Sequence, residues 1–101
     1  MANLKTILSE FLSYLEKERG FSTHTIKAYH TDLNRFISFL SEEEKISNFM
    51  AVNRHTIRNY LGVEFDQGLS SKTVARRLAS VKSLFKYLMQ SEQLKDNPAI
   101  H

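Results

Sequence analysis

The sequence predicts an all-α domain of four helices followed by a short C-terminal tail. In four segments, apolar residues recur at spacings of three and four, which is the period of an amphipathic helix and not of a strand. Serine, asparagine, glycine and proline stand between these segments, where helix caps and turns are expected. At 101 residues with 42% hydrophobic side chains, the chain is long enough to bury one modest core.

The first two helices are predicted over about 4–19 and 22–40. Gly20 suits a left-handed cap at the end of helix 1, and Ser22 suits the N-cap of helix 2. The side chains expected to be buried are Leu4, Ile7, Leu8, Phe11, Leu12 and Leu15 in helix 1, and Ile26, Tyr29, Leu33, Phe36, Ile37 and Leu40 in helix 2.

The last two helices are predicted over about 54–66 and 70–90. Asn53 is the expected cap of helix 3, and either Ser70 or Ser71 caps helix 4. Pro98 ends the regular structure, because the residue before a proline is pushed out of the helical region. The expected apolar sets are Ile57, Tyr60, Leu61 and Phe65 in helix 3, and Val74, Leu78, Val81, Phe85 and Leu88 in helix 4.

Helix 4 carries an unusual charge pattern on the side away from its apolar stripe. From Gly68 to Gln90 there is no acidic residue, and the basic residues are Lys72, Arg76, Arg77, Lys82 and Lys86. An ordinary solvent-exposed helix face mixes signs, because Glu–Lys pairs stabilise it. The small residues between these cations would let a polyanion approach the backbone closely. The pattern therefore favours a helix that binds in a nucleic-acid groove.

Helix 2 shows a weaker copy of the same pattern. Apart from Asp32 at its edge, its outer face is neutral or basic, with His24, Lys27, Ala28, Thr31, Arg35 and Ser38. Thr25 and Thr73 occupy the position where a capping box would place Glu or Gln. The other residues of both first turns are not acidic either. The positive ends of both helices are therefore open to an external phosphate.

Several functional classes are disfavoured by the sequence. The absence of cysteine excludes disulfides and thiolate metal sites and suits a cytoplasmic location. No apolar run approaches the roughly 20 residues of a membrane span, and no signal-peptide pattern is present. His55 and Arg58 with nearby Tyr60 imitate a phosphoryl-transfer set, but Tyr60 belongs to the apolar stripe. We expect no catalytic residue, metal, cofactor or small-molecule substrate.

Two stretches of the sequence resemble a known family. Residues 14–40 contain Glu18-Arg19-Gly20-Phe21-Ser22, then Thr25, Ala28-Tyr29, Asp32-Leu33, Phe36 and Phe39-Leu40, and they are similar to the opening of Xer-type tyrosine recombinases and phage integrases. Residues 71–88, SKTVARRLASVKSLFKYL, resemble the fourth helix of the same domain, and Asn97-Pro98-Ala99 resembles its usual exit. The likeness covers nearly the whole chain.

The resemblance implies the N-terminal core-binding domain, a SAM-like bundle of four helices. In that family it forms a C-shaped clamp around a recombination half-site together with a separate catalytic domain, and its second and fourth helices face the DNA. The family's catalytic residues belong to the following domain, and His55, Arg58 and Tyr60 do not align with them. The implied partners are double-stranded DNA and other recombinase subunits, and the implied parent protein is a tyrosine recombinase.

The resemblance also implies a set of DNA-contacting residues on the two helices. Tyr29 is ambiguous because it lies on the buried stripe, and Arg77 lies on a flank from which it could pair with acids of helix 1. The implied contacts are Ser22, His24, Thr25, Lys27, Tyr29, Thr31 and Arg35 on helix 2, and Ser71, Lys72, Thr73, Arg76, Arg77, Ser80 and Lys82 on helix 4.

Two other functions fit parts of the sequence. Residues 66–70 form a short glycine-containing turn before a basic helix, as in a helix-turn-helix regulator, although the face of helix 2 would then be unused. A SAM-like bundle can also serve as a protein-interaction module, because a fold does not determine a function.

Overall fold

The structure, a computed structural model, describes residues 3–91 and 93–99. Over these residues it contains α-helices and no strand, which confirms the all-α prediction. The chain forms two compact units, one up to Phe49 and one from Met50 onward. The elements are α1 (Leu4–Lys17), α2 (Thr23–Glu42), a 3-10 turn (Phe49–Ala51), α3 (Arg54–Asp66) and α4 (Ser71–Gln90).

Residues with positive φ close the ends of α1 and α2. Gly20 has a φ of 66°, as the sequence predicts, and beside it the Phe21 N–H donates to the Leu15 carbonyl at 2.9 Å. At the end of α2 the corresponding residue is Lys45, with a φ of 54°. α2 ends at Glu42, beyond the predicted residue 40. The sequence did not indicate this end, because a left-handed residue after a helix is usually glycine or asparagine and not lysine.

The unit up to Phe49 is a hairpin of α1 and α2. The predicted stripe of α1 is buried except for Leu12, which is half-buried. In α2, Ile26 and Tyr29 are half-buried, and the other predicted residues are buried. Phe39 and Asp32 are buried in addition. The buried apolar side chains of this unit are Leu4, Ile7, Leu8, Phe11, Leu15, Leu33, Phe36, Ile37, Phe39, Leu40 and Phe49.

The unit from Met50 onward consists of α3, α4 and the tail. The prediction that Phe65 belongs to the core is wrong, because half of its side chain is exposed and Glu64 is buried instead. Leu84 is buried although the predicted stripe omitted it. In the tail, buried Asn97 donates from Nδ2 to the Lys82 carbonyl at 3.3 Å, and its Oδ1 accepts the Ala99 N–H at 2.9 Å. The tail is thereby fixed to the middle of α4.

Candidate nucleic-acid interface

The helices α2 and α4 begin with the same arrangement of two hydroxyl groups. Ser22 Oγ accepts the Thr25 N–H at 3.2 Å and donates to Thr25 Oγ1 at 3.0 Å. Ser70 Oγ accepts the Thr73 N–H at 3.2 Å and donates to Thr73 Oγ1 at 3.1 Å. The structure thus resolves the choice between Ser70 and Ser71 in favour of Ser70. Each threonine accepts the serine hydrogen and can still donate its own to an outside oxygen.

These helix starts suit an anion. The first turns of α2 and α4 contain no acidic residue. In such a cap the N–H groups of the first two helical residues lack acceptors within the helix, and the helix dipole adds a partial positive charge. His24 and Lys72 occupy the second helical position of their helices, and both side chains are exposed. A phosphate at either end would meet amide, hydroxyl and side-chain donors together.

The outer face of α2 is basic from His24 to Arg35. Lys27 and Arg35 are exposed, as are His24 and the small residues Ala28 and Ser38. Asp32, the acid that sequence reasoning placed at the edge of this face, is 3% exposed. It therefore contributes little negative surface to the face. The exposed acids of α2 are confined to its last turn, at Glu42.

Two of the implied contacts on α2 are engaged within the protein. The Tyr29 ring packs edge-on against Phe11, with centroids 6.0 Å apart, and lies 5.9 Å from the Phe21 ring. The Thr31 hydroxyl donates to the Lys27 carbonyl at 3.0 Å, so its hydrogen is not directed at a phosphate. Each of these residues therefore makes a contact within the first unit.

The outer face of α4 is a row of cations separated by small residues. Lys72, Arg76, Lys82 and Lys86 are exposed, and Ala75 and Ala79 between them are exposed as well. Over residues 68–90 this surface includes no acid. Its cations lie along about four turns of helix.

Two implied contacts on α4 are not presented outward. Ser80 is 7% exposed. Arg77 Nη1 donates to Glu64 Oε2 at 2.6 Å, and the two side chains are 12% and 3% exposed. The sequence suggested that Arg77 could pair with acids of helix 1, and the structure pairs it with an acid of α3. A carboxylate thirteen residues earlier on another helix leaves no signature in the local pattern around Arg77.

The structure adds two residues to the implied set. Ser70, and not Ser71, is the counterpart of Ser22. Lys86 is exposed and lies on the same side of α4 as Lys72, because the fourteen residues between them make nearly four complete turns. The charge pattern of helix 4 already included Lys86 among its basic residues, whereas the contact set implied by the resemblance did not.

Other kinds of site find little support in the described part of the chain. No helix between residues 3 and 91 combines the length and hydropathy of a membrane span. Over residues 3–91 and 93–99, no three histidine, cysteine, aspartate or glutamate residues come together as metal ligands would. His55 and Arg58 are exposed while Tyr60 is buried, so these three do not share one surface. His101 lies outside the described residues.

Comparison with known proteins identifies a single family. The model of the phage integrase N-terminal SAM-like domain matches residues 8–92. Tyrosine recombinase XerD of Staphylococcus haemolyticus is 31% identical over 96% of this chain, and tyrosine recombinase XerD of Listeria monocytogenes is 33% identical over 96%. Tyrosine recombinase XerC of Halalkalibacterium halodurans is 36% identical over 90%.

The chain spans about a third of the length of these curated relatives, since the matches cover 32%, 33% and 30% of them. No solved structure gives a significant match.

Proposed function

This chain belongs to the phage integrase N-terminal SAM-like domain family, and from that premise we propose that it is the DNA-binding domain of a tyrosine recombinase. It grips a double-stranded recombination half-site through the outer faces of α2 and α4. Strand cleavage and exchange fall to a separate domain, and the other partners are further recombinase subunits. The relatives' printed names support the parent activity, and a DNA partner fits the cytoplasmic location expected from the sequence.

One observation carries the proposal. Two helices, one in each unit, begin with the same serine–threonine cap and continue into an exposed face that carries cations. The face of α4 has no acid, and the face of α2 has one, Glu42, in its last turn. Phosphate contacts are made by such helix ends, hydroxyls and basic side chains. A single basic helix could serve solubility alone, but the repetition on α2 and α4 is what two-helix DNA binding requires.

The exposed residues define a narrower interface than the resemblance implied. Tyr29, Thr31, Arg77 and Ser80 are set aside because they are packed, internally bonded or buried. The proposed contacts are Ser22, His24, Thr25, Lys27 and Arg35 on α2, and Ser70, Ser71, Lys72, Thr73, Arg76, Lys82 and Lys86 on α4.

An amide-resolved NMR titration with a short mixed-sequence DNA duplex at low salt tests the proposal. We expect chemical-shift changes in residues 22–35 and 70–86 that fade as the salt concentration rises, because phosphate binding releases counterions. An absence of changes at any salt concentration would contradict DNA binding and would favour a protein partner.

The helix-turn-helix alternative makes a different prediction for α2. Replacing Lys27 and Arg35 together with alanine removes two exposed cations of α2 and leaves α4 intact. Under the proposal, DNA affinity falls and the slope of log K against log salt flattens by about one to two units. If only α4 enters the groove, the double variant binds like the unchanged chain, and shifts are confined to residues 66–86.

A further inference from the structure

The buried ion pair between α3 and α4 stands apart from the basic residues of the proposed interface. Arg77 is one of five basic residues on α4, yet its Nη1 is held by Glu64 Oε2 at 2.6 Å and its side chain is 12% exposed. Lys72, Arg76, Lys82 and Lys86 are exposed. The basic residues of α4 are therefore of two kinds, four outward and one inward.

We infer that Arg77 is a positioning residue for DNA binding, which acts through Glu64 to fix the rotation of α4 on α3 and makes no phosphate contact. This inference rests on the proposed function. Successive helical residues are separated by about 100°, so holding Arg77 against α3 turns Arg76 and Lys72 outward. The pair thus sets the direction in which the cations of α4 point.

The surrounding apolar contacts cannot fix this rotation as well. The buried neighbours on α4 include Val74, Val81 and Leu84, and apolar packing depends on area more than on direction. A short charged hydrogen bond requires a defined distance between donor and acceptor and a nearly linear donor–hydrogen–acceptor angle.

The pair is poorly suited to a purely stabilising role. Glu64 Oε1 and Arg77 Nε are buried and make no hydrogen bond among residues 3–91 and 93–99. A buried ion pair with unsatisfied atoms often contributes no more stability than apolar side chains of similar volume. What the pair supplies and an apolar pair would lack is a specific geometry.

The variant Glu64→Gln gives the sharpest test in the 101-residue chain. It removes a negative charge, so simple electrostatics predicts equal or tighter binding of a DNA duplex. Positioning predicts the opposite, a loss of affinity of at least about threefold at low salt, the scale on which coupled residues interact. Affinity is measured by fluorescence anisotropy with a labelled mixed-sequence duplex and corrected for the folded fraction from a thermal melt.

The matched control is Asp66→Asn, two residues further along α3. Asp66 is exposed, and the substitution makes the same change in charge. We expect its affinity to be unchanged or raised by up to about twofold, since an exposed charge is screened. If Glu64→Gln binds DNA with the same affinity as Asp66→Asn, the inference is overturned. Failure of the unchanged chain to bind DNA would instead overturn the proposed function, so the two failures are distinguishable.

A second variant keeps the test decisive if Glu64→Gln does not fold. Glu64→Asp preserves every charge and removes one methylene, so the carboxylate can no longer meet Arg77 at the same helix position. Positioning predicts weaker DNA binding although no cation is lost. A phosphate-contacting Arg77 predicts unchanged or tighter binding, because the guanidinium would be less restrained by its partner, and that result would contradict the inference.

Discussion

Individual hydroxyl groups at the starts of α2 and α4 serve both the fold and the proposed interface. Ser22 and Ser70 each satisfy an amide of the first turn and orient a threonine beside it. The two helix starts therefore have the same geometry although the residues that follow them differ. A change at one serine should affect stability in a way that a change at its neighbour does not.

Replacing Ser70 with alanine should lower the free energy of unfolding by about 1 kcal/mol, because the Thr73 amide loses its acceptor. Urea denaturation followed by circular dichroism measures the effect. The control is Ser71→Ala, at an exposed position inside the helix, for which we expect a change within about 0.5 kcal/mol. Equal losses of unfolding free energy in the two variants would show that the Ser70 side chain does not stabilise the start of α4 more than that of Ser71.

A second prediction at this scale concerns Lys86, which the charge pattern of helix 4 included but the contact set implied by the resemblance did not. Because Lys86 continues the exposed row of Lys72 and Arg76, Lys86→Ala should weaken DNA binding and reduce the salt slope by about one unit. Lys5→Ala on α1 removes the same charge from another exposed surface and should leave the slope unchanged. Identical slopes for the two variants would remove Lys86 from the interface.

At the scale of helices, the ends of α1 and α2 show how one backbone geometry is formed by different residues. Gly20 adopts positive φ without steric cost, whereas Lys45 adopts it with a side chain that crowds the backbone. The strain at Lys45 is compatible with folding because the Ile46 N–H donates to the Leu40 carbonyl at 2.8 Å. The stop of α2 is therefore well formed but less favourable than that of α1.

Lys45→Gly should consequently raise the free energy of unfolding by about 0.5–1 kcal/mol. The relief of backbone strain stabilises the folded state by more than the added entropy of glycine stabilises the unfolded state. Lys17→Gly, within the last turn of α1, should lower it by about 1 kcal/mol because glycine is a poor helix former there. Chemical denaturation of both variants measures whether the free energy of unfolding rises or falls. A destabilised Lys45→Gly chain would show that the lysine side chain contributes more than its backbone costs.

The inner face of α3 is where sequence reasoning and structure differ most. Ile57, Tyr60 and Glu64 are buried at spacings of three and four, while Phe65 is half exposed. Residues 64 and 65 are adjacent, so periodicity alone cannot decide between them, and hydropathy favours phenylalanine. Glu64 is buried because Arg77 neutralises it, and that partner is brought near only by the folding of α4 onto α3.

Substitutions on α3 test this assignment directly. Ile57→Ala should lower the free energy of unfolding by about 2–4 kcal/mol, since it removes buried atoms and leaves a cavity. Phe65→Ala should cost about 1 kcal/mol or less, because half of the ring is already in contact with solvent. Thermal or urea unfolding provides both values. A larger loss for Phe65→Ala than for Ile57→Ala would restore Phe65 to the core.

At the scale of the whole molecule, function depends on where charge lies more than on its total. The net charge is only +3, yet the outer faces of α2 and α4 carry cations, while the exposed acids of the described residues lie on α1, at the ends of α2 and α3, and in the tail. Such a distribution attracts a polyanion to particular surfaces even when the total charge is small. The acidic residues 42–44 lie at the end of α2 opposite to its cap at Ser22.

Because the proposed contacts of α2 and α4 lie on different units, their contributions should add. The double variant carries Lys27→Ala and Arg35→Ala, the single variant carries Arg76→Ala, and the triple variant carries all three. The loss of binding free energy in the triple variant should equal the sum of the losses in the double and single variants, within about 0.5 kcal/mol. Anisotropy titrations over a range of salt concentrations measure all three. A triple variant no worse than Arg76→Ala alone would show that α2 does not contact the DNA.

Much of this molecule was predictable because it is encoded locally. Helix periodicity, the caps at Ser22 and Asn53, and the left-handed Gly20 each depend on residues a few positions apart. The basic faces were predictable for the same reason. The role of Arg77, the burial of Ser80 and the anchoring of Asn97 to Lys82 depend on contacts between distant residues, which leave no periodic signal.

The hairpin organisation also has a kinetic consequence. Within the unit that begins at Met50, the ion pair joins residues 13 apart and the Asn97 bond joins residues 15 apart. Closing such short loops costs little entropy, and helical proteins rich in nearby contacts fold in microseconds to milliseconds. Each hairpin should therefore re-form quickly after a transient opening. A DNA-binding surface assembled in this way would regain its shape faster than most protein–DNA complexes dissociate.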